Sequence, residues 1–138
     1  MFAEMRHAMV ISQLRPDGVS DPRVIAAMET VPREDFVPDD RRATAYADRL
    51  IPIGDGRGIN PPMVTGRLFT EAQLAANDRL LIIGAASGYT AAVAAHLTGS
   101  VTSIATDAPV EGMYDVIYID GAVEHLPDDM ASHLTPRG

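Results

Sequence analysis

Along residues 2–15 the apolar side chains Met5, Met9, Val10 and Leu14 recur at near-helical spacing, and Pro16-Asp17-Gly18 ends the run in turn residues. The pattern predicts a first amphipathic helix. Ser20 or Asp21 stands where a second helix needs its N-cap, Pro22 falls in the first turn, and Val24, Ile25, Met28 and Val31 form a buried stripe that Pro32 stops. Arg33 to Pro38 reads as a connector, and a short third helix is predicted from Asp39 or Asp40 through Tyr46. The stretch Arg49 to Gly58, with Gly54, Gly56 and Gly58, predicts a short strand and a glycine-rich loop. Asn60 followed by Pro61 and Pro62 reads as a helix start, with Asn60 as N-cap and Pro61 at the first helical position, in a helix reaching about Leu74 and closed by Asn77-Asp78.

The second half changes period. Leu80 to Ile83 is a continuous apolar run ending at Gly84, the pattern of a strand buried on both faces in a parallel sheet. A helix from about Ser87 to Leu97 and a second strand, Val101 to Ile104, complete a strand-helix-strand unit. Tyr114 to Ile119 is a third strand, and Pro127 to Leu134 a last helix. No residue between Arg79 and Asp107 is charged if histidine is neutral, but glycines, serines and threonines break this stretch into strand, helix and strand rather than a membrane span.

With 138 residues, 46% of them hydrophobic, the chain has the size of one domain with one core. The absence of cysteine excludes a disulfide framework, a thiolate metal cage and a cysteine nucleophile, and fits a reducing, cytoplasmic setting. All 11 basic residues are arginine, so Schiff-base lysine chemistry and a Walker-type phosphate lysine are excluded too. A net charge of −8 argues against a general nucleic-acid or anionic-membrane binder. Glu4 lies where a secretory leader wants positive charge, and no apolar core follows it, so secretion is not expected.

Local chemistry concentrates at Ile83-Gly84-Ala85-Ala86-Ser87-Gly88-Tyr89, where a chain turning from strand to helix needs glycine for positive φ and presents free helix amides to a ligand. The alternative reading is small residues required for strand-helix packing. Asp120, at the carboxyl edge of the third strand, is a ligand candidate and otherwise a turn residue. Glu124, His125, His133 and Asp120 lack metal-site spacing. No serine-nucleophile elbow surrounds Ser87.

Several ordered blocks carry a resemblance: Ser12-Gln13-Leu14, Asp21-Pro22-Arg23-Val24, Val31-Pro32-Arg33-Glu34-Asp35-Phe36-Val37-Pro38, Ala45-Tyr46-Ala47-Asp48, Ile51-Pro52-Ile53-Gly54, Ile83-Gly84, Ser87-Gly88-Tyr89 and Tyr114-Asp115-Val116-Ile117. In these the chain resembles the protein-L-isoaspartate O-methyltransferase family. The resemblance implies an α/β, Rossmann-like fold with a truncated parallel sheet and an N-terminal helical extension. It divides the chain into residues 1–78, helical and carrying the acceptor-side loop, and residues 79–138, a partial cofactor-binding part, within one compact domain.

The implied cofactor is S-adenosylmethionine and the implied partners are isoaspartyl-containing peptides or proteins, methylated at the free carboxylate. The implied sites are Asn60 as catalytic residue, Ile59, Asn60 and Pro61 for substrate, and Gly84, Ala85, Ala86, Ser87 and Gly88, joined by Asp120, for cofactor. A carboxylate nucleophile and a sulfonium donor need no thiol, lysine or metal.

The departures from the family pattern are specific. Ala86 replaces the middle loop glycine, Ala105 replaces the acid that receives the ribose hydroxyls, with Asp107 as the nearest substitute, and Asn60 replaces a serine in Gly58-Ile59-Asn60-Pro61-Pro62. Only nine residues separate Ile104 from Tyr114, a reach of roughly 30 Å without the family's intervening helices and strand. A deletion form or fragment is therefore expected, with impaired activity. The rival reading is a non-catalytic remnant acting as a binding or interaction module, and the exposed sheet edges are expected to favour self-association.

Overall fold

The computed structural model describes residues 1–54, 57–84, 87–121 and 129–136. Helix α1 (Phe2–Met9) runs on into a π-helical turn at Val10–Leu14, and Val19 N–H returns to the Leu14 carbonyl at 3.0 Å. Helix α2 (Pro22–Thr30) is capped as its sequence requires. Asp21 Oδ1 accepts from Arg23 N–H at 2.9 Å and Pro22 opens the first turn, while Val24, Ile25 and Met28 are buried.

The next segment differs from expectation in detail. Asp39–Thr44 is a 3-10 turn rather than an α-helix, and Arg33–Phe36 forms another. Strands β1 (Ile51–Gly54) and β2 (Arg57–Ile59) pair antiparallel, with Ile51 opposite Ile59, and Gly56 of the predicted glycine-rich loop lies outside the described residues. Helix α3 (Pro62–Ala72) begins one residue later than Asn60 as cap would place it; Pro61 occupies the cap position and no side chain caps the helix. Its other end turns at Gln73, which takes the left-handed conformation at φ +48°.

Strand β3 (Arg79–Ile83) is the centre of a three-stranded parallel sheet in the order β4-β3-β5, with β4 at Ser100–Ile104 and β5 at Val116–Ile119. Leu80 pairs with Val101 on one side and Val116 on the other, and Ile83 with Ile104 and Ile119. The unbroken run Leu80–Ile83 is buried throughout, as a central parallel strand requires, whereas every position of β4 is half-buried or exposed. Helix α4 is shorter than predicted, Tyr89–Ala94, and ends where Leu97 and Thr98 N–H share the Ala94 carbonyl.

The link from β4 to β5 closes with no helix or strand in residues 105–113. A turn at Ala105–Ala108 and the left-handed Gly112 suffice, and Asp115 N–H reaches the Arg79 carbonyl at 2.9 Å. Of the predicted last helix, the described part is a 3-10 turn at Met130–His133, followed by an isolated parallel bridge between Leu134 and Tyr114. One apolar core joins the two halves: Met9, Leu14 and Met28 from the N-terminal helices cluster with Phe69, Leu80, Ile82, Tyr89, Val93 and Tyr118. Phe69 and Tyr118 meet at 4.9 Å between ring centres.

Candidate active site at the carboxyl ends of the strands

The carboxyl ends of β3, β4 and β5 converge on Gly84. Its N–H donates to the Ile104 carbonyl at 2.9 Å, and Asp120 N–H donates to the Ile83 carbonyl at 2.8 Å. Gly84 stands at φ +91°, and a Cβ there would lie 3.0 Å from the Asp120 carbonyl oxygen and 3.2 Å from the Thr106 hydroxyl. Glycine is therefore required both by conformation and by space. Gly88 takes φ +84° at the mouth of α4, where Ser87 Oγ accepts from Tyr89 N–H at 3.2 Å. Ala85 and Ala86 of the same loop lie outside the described residues.

Beside this turn a cleft of about 400 Å³ is lined by Arg57, Gly84, Ser103, Ile104, Ala105, Thr106 and Asp107. Ala105 offers no side-chain acceptor, and Asp107 is the acid in the lining of the cleft.

On the other side of Gly84, the structure joins two residues that the sequence singled out separately. Asn60 Nδ2 donates to Asp120 Oδ1 at 3.3 Å, and the Thr90 hydroxyl donates to Asp120 Oδ2 at 2.7 Å. Burial pushes the Asp120 carboxyl above the usual carboxylate range, and the hydrogen bonds from Thr90 and Asn60 offset only part of that shift. Asn60 does not cap α3; its amide is directed at Asp120. Ile59 is buried in the hairpin opposite Ile51, and Pro61 is the backbone cap of α3.

Two contributors escaped the sequence reading. Thr90 carried no signal beyond its place in the first turn of α4. Arg33 was read within a connector, yet it is fully buried. Its Nε donates to the Ala45 carbonyl at 2.5 Å, its Nη2 donates to the Asn60 carbonyl at 2.7 Å, and its guanidinium lies 4.8 Å from the Tyr89 ring centre. The signal available was a cation followed by two acids in a block bounded by Pro32 and Pro38, which does not reveal a partner. Next to it, Glu34 accepts from Arg6 Nη2 at 2.9 Å and from the Tyr46 hydroxyl, and Tyr46 also accepts from Arg6 Nε at 2.7 Å and from Arg33 N–H at 3.1 Å.

Among the described residues, no group of three or more His, Asp or Glu side chains converges as a metal site. Glu124 and His125 lie outside those residues. Among the described residues, no helix is long and apolar enough to cross a membrane.

The sequence profile of the family described as Protein-L-isoaspartate(D-aspartate) O-methyltransferase matches residues 5–110. Protein-L-isoaspartate O-methyltransferase 1 of Rhodopseudomonas palustris is 47% identical over 103 residues, which are 75% of this chain and 42% of that one. The protein-L-isoaspartate O-methyltransferase of Roseiflexus castenholzii is 37% identical over 131 residues, 92% of this chain and 60% of its own. This chain thus spans about half the length of the relatives it matches.

A solved protein-L-isoaspartate O-methyltransferase matches with a TM-score of 0.73 at 21% identity, over 98% of this chain and 52% of its own. A putative protein-L-isoaspartate O-methyltransferase from Plasmodium falciparum, solved in complex with S-adenosyl-L-homocysteine, matches with a TM-score of 0.71 at 16% identity, over 94% and 79% of the two chains. These two likenesses show the fold, Rossmann-like, of which the described residues form the three-stranded parallel sheet. The profile covers most of the sequence, and on that ground the chain belongs to the protein-L-isoaspartate O-methyltransferase family.

Proposed function

We propose that this chain binds S-adenosylmethionine at the carboxyl ends of β3 and β4 and directs its methyl group to the free carboxylate of an isoaspartyl residue in a peptide or protein. The observation that carries this reading is the meeting of Asn60 and Asp120 beside the glycine turn, which puts an acceptor-side amide next to the cofactor-side loop. The residues present fit the cofactor. Gly84, which the Asp120 carbonyl and Thr106 hydroxyl leave no room to carry a side chain, keeps the turn tight, Ser87 and Gly88 shape the entry to α4, and the cleft at Ser103–Asp107 opens beside Gly84. Bound there, S-adenosylmethionine supplies an activated methyl group on a sulfonium.

The chain's own residues then have simple tasks. Gly84, Ser87 and Gly88, with Ala85 and Ala86 between them in sequence, receive the cofactor, and Asp107 takes the part of the ribose acid absent at Ala105. Asn60, flanked by Ile59 and Pro61, donates its remaining amide hydrogen to the acceptor carboxylate. Asp120 holds the Asn60 amide and is itself held by Thr90. Nothing in this scheme moves a proton, because a carboxylate is already a nucleophile; the protein contributes alignment and charge stabilisation. In this division residues 1–78 serve the acceptor and residues 79–138 the cofactor.

A second reading, a non-catalytic remnant that binds without turning over, is favoured by Ala105, which brings no carboxylate to the cleft. Calorimetry with S-adenosylhomocysteine, beside methyl transfer to an isoaspartyl peptide, separates the two. Binding with turnover supports the enzyme, binding without turnover supports the remnant, and neither removes both.

A further inference from the structure

Arg33 is the only fully buried arginine among the described residues, and no carboxylate there pairs with it. Its three donor positions meet unequal fates: Nε and Nη2 reach the Ala45 and Asn60 carbonyls, and Nη1 is buried without a hydrogen-bond partner. An isolated buried charge is expensive, and a neutral side chain of similar volume would fill the same space at lower cost. Core packing therefore does not explain why a cation stands here.

Its neighbours suggest the explanation. The Asn60 carbonyl accepts from Arg33, the Asn60 amide donates to Asp120, and Asp120 accepts from Thr90, which follows Tyr89 in α4. The Tyr89 ring lies against the Arg33 guanidinium, and Phe36, from the same 3-10 turn as Arg33, meets Tyr89 edge-on at 5.8 Å. The contacts close a ring through the loop before α3, the end of β5 and the first turn of α4. Asn60 is gripped at both ends, by its backbone carbonyl and by its side-chain amide.

We propose that Arg33 is a positioning residue that sets the Asn60 amide relative to the entrance of α4, so that the acceptor-side loop and the cofactor-side helix keep one fixed geometry. This rests on the reading of Asn60 as the acceptor residue given above. Arg33 acts through Asn60 and touches neither reactant. Its planar fork suits the role, because a single guanidinium reaches two carbonyls from different segments while its face packs on an aromatic ring.

The test compares Arg33→Met and Arg33→Lys with the wild type in three measurements. These are S-adenosylhomocysteine affinity, kcat and KM with an isoaspartyl peptide, and the NMR signal of the Asn60 side-chain amide in ligand-free protein. Misplacement of a reacting group by about 1 Å costs on the order of 100-fold in rate. Arg33→Met is therefore expected to lower kcat about that much and shift the Asn60 amide signal while S-adenosylhomocysteine affinity holds, and Arg33→Lys is expected to recover part of the loss.

An unmoved Asn60 signal with unchanged kcat overturns the proposal, and so does a parallel loss of cofactor affinity and turnover, which would make Arg33 a purely structural residue. If the wild type transfers no methyl group, the functional reading fails while the Asn60 signal still decides the role of Arg33. If Arg33→Met does not fold, the wild type alone suffices: through-bond coupling from an Arg33 Nη to the Asn60 carbonyl supports the proposal, and rapidly exchanging, uncoupled Nη hydrogens overturn it.

Discussion

The Asn60 amide and the Asp120 carboxylate, 60 positions apart in the chain, meet at 3.3 Å on the open end of the sheet. This contact replaces the helix cap that local sequence favours for an asparagine before Pro61-Pro62. A cap needs only neighbouring backbone, whereas the observed bond exists because β5 returns beside β3 and delivers Asp120 there.

Burial raises the Asp120 carboxyl above its ordinary value, so its charged form is held at a cost in the folded state. For a carboxyl raised on folding, that cost is absent below the unfolded value, grows as pH rises, and is complete above the folded value. Asp120→Asn is therefore expected to raise the melting temperature at neutral pH and to lose that advantage in acid, while reducing methyl transfer. Melting curves from pH 3 to pH 8 check the sign; a variant less stable than wild type at pH 7 would contradict it.

Under the proposed function Ala105 takes the position of the acid that would receive the ribose hydroxyls, and it lines the cleft beside Asp107. Ala105→Glu adds a charge-assisted hydrogen bond of about 1.5–3 kcal/mol, so S-adenosylhomocysteine should bind at least about 10-fold tighter. Calorimetry on the two proteins decides, and equal affinity would show that Asp107 already serves the ribose. Ala86 lies outside the described residues, but restoring glycine there belongs in the same experiment.

Gly66 packs α3 against the loop before α2 so closely that a Cβ would lie 2.8 Å from Val19 Cγ2 and 3.1 Å from Cγ1. Val19 is branched and buried, and it cannot swing aside. Alanine gains about 1 kcal/mol of helix propensity, against an overpacking cost of about 1–3 kcal/mol. Gly66→Ala should destabilise by roughly 1 kcal/mol net, seen as a lower midpoint in urea with an unchanged slope.

The Arg6, Glu34 and Tyr46 cluster makes stability pH-dependent at both ends of the scale. Burial raises the Glu34 carboxyl, but the Tyr46 hydroxyl, backbone and Arg6 outweigh it and leave Glu34 below its ordinary value. Burial, with the hydrogen bond to Glu34, lifts Tyr46 to about 12 against the opposing effect of Arg6. The Glu34 contribution is present above the unfolded carboxyl value and is lost as pH falls through the lowered folded one. The Tyr46 contribution is full below about pH 10, and is lost as pH rises from there towards its folded value. Tyr46→Phe should flatten the alkaline limb of a stability profile, and an unchanged limb would remove Tyr46 as its cause.

Among the described residues, strands β4 and β5 lie at the two ends of the sheet, and Leu68 with Val116 to Ile119 lines a groove of about 300 Å³ on the β5 side. Unpaired backbone and apolar side chains at such an edge favour pairing with another chain. Light scattering across a dilution series is expected to show concentration-dependent association. A single monomer mass at every concentration would count against it.

Periodicity served for α1, α2 and β3, because an amphipathic stripe or a doubly buried run depends only on near neighbours and on one burial choice, and the start signal Asn60-Pro61-Pro62 served for α3. Local chemistry likewise narrowed the cap of α2 to Ser20 or Asp21, of which the fold uses Asp21, and marked Gly84 as a turn, where the fold leaves no room for a side chain. Where segments were short or polar, distant contacts decided. The hairpin at 51–59, the 3-10 turn at 39–44 and the early end of α4 were settled by packing against other parts of the chain rather than by propensity.

The candidate site divides in the same way. Asn60 and the glycine turn were legible as motifs, and Asp120 as a residue at a strand end, since each announces itself within a few positions. That Asn60 and Asp120 touch, that Thr90 completes the contact, and that Arg33 grips the Asn60 carbonyl from a buried position were decided only in three dimensions. Hydrogen bonds between residues 27 to 60 positions apart leave no period in a sequence, because their partners are chosen by strand order and core packing and not by spacing along the chain.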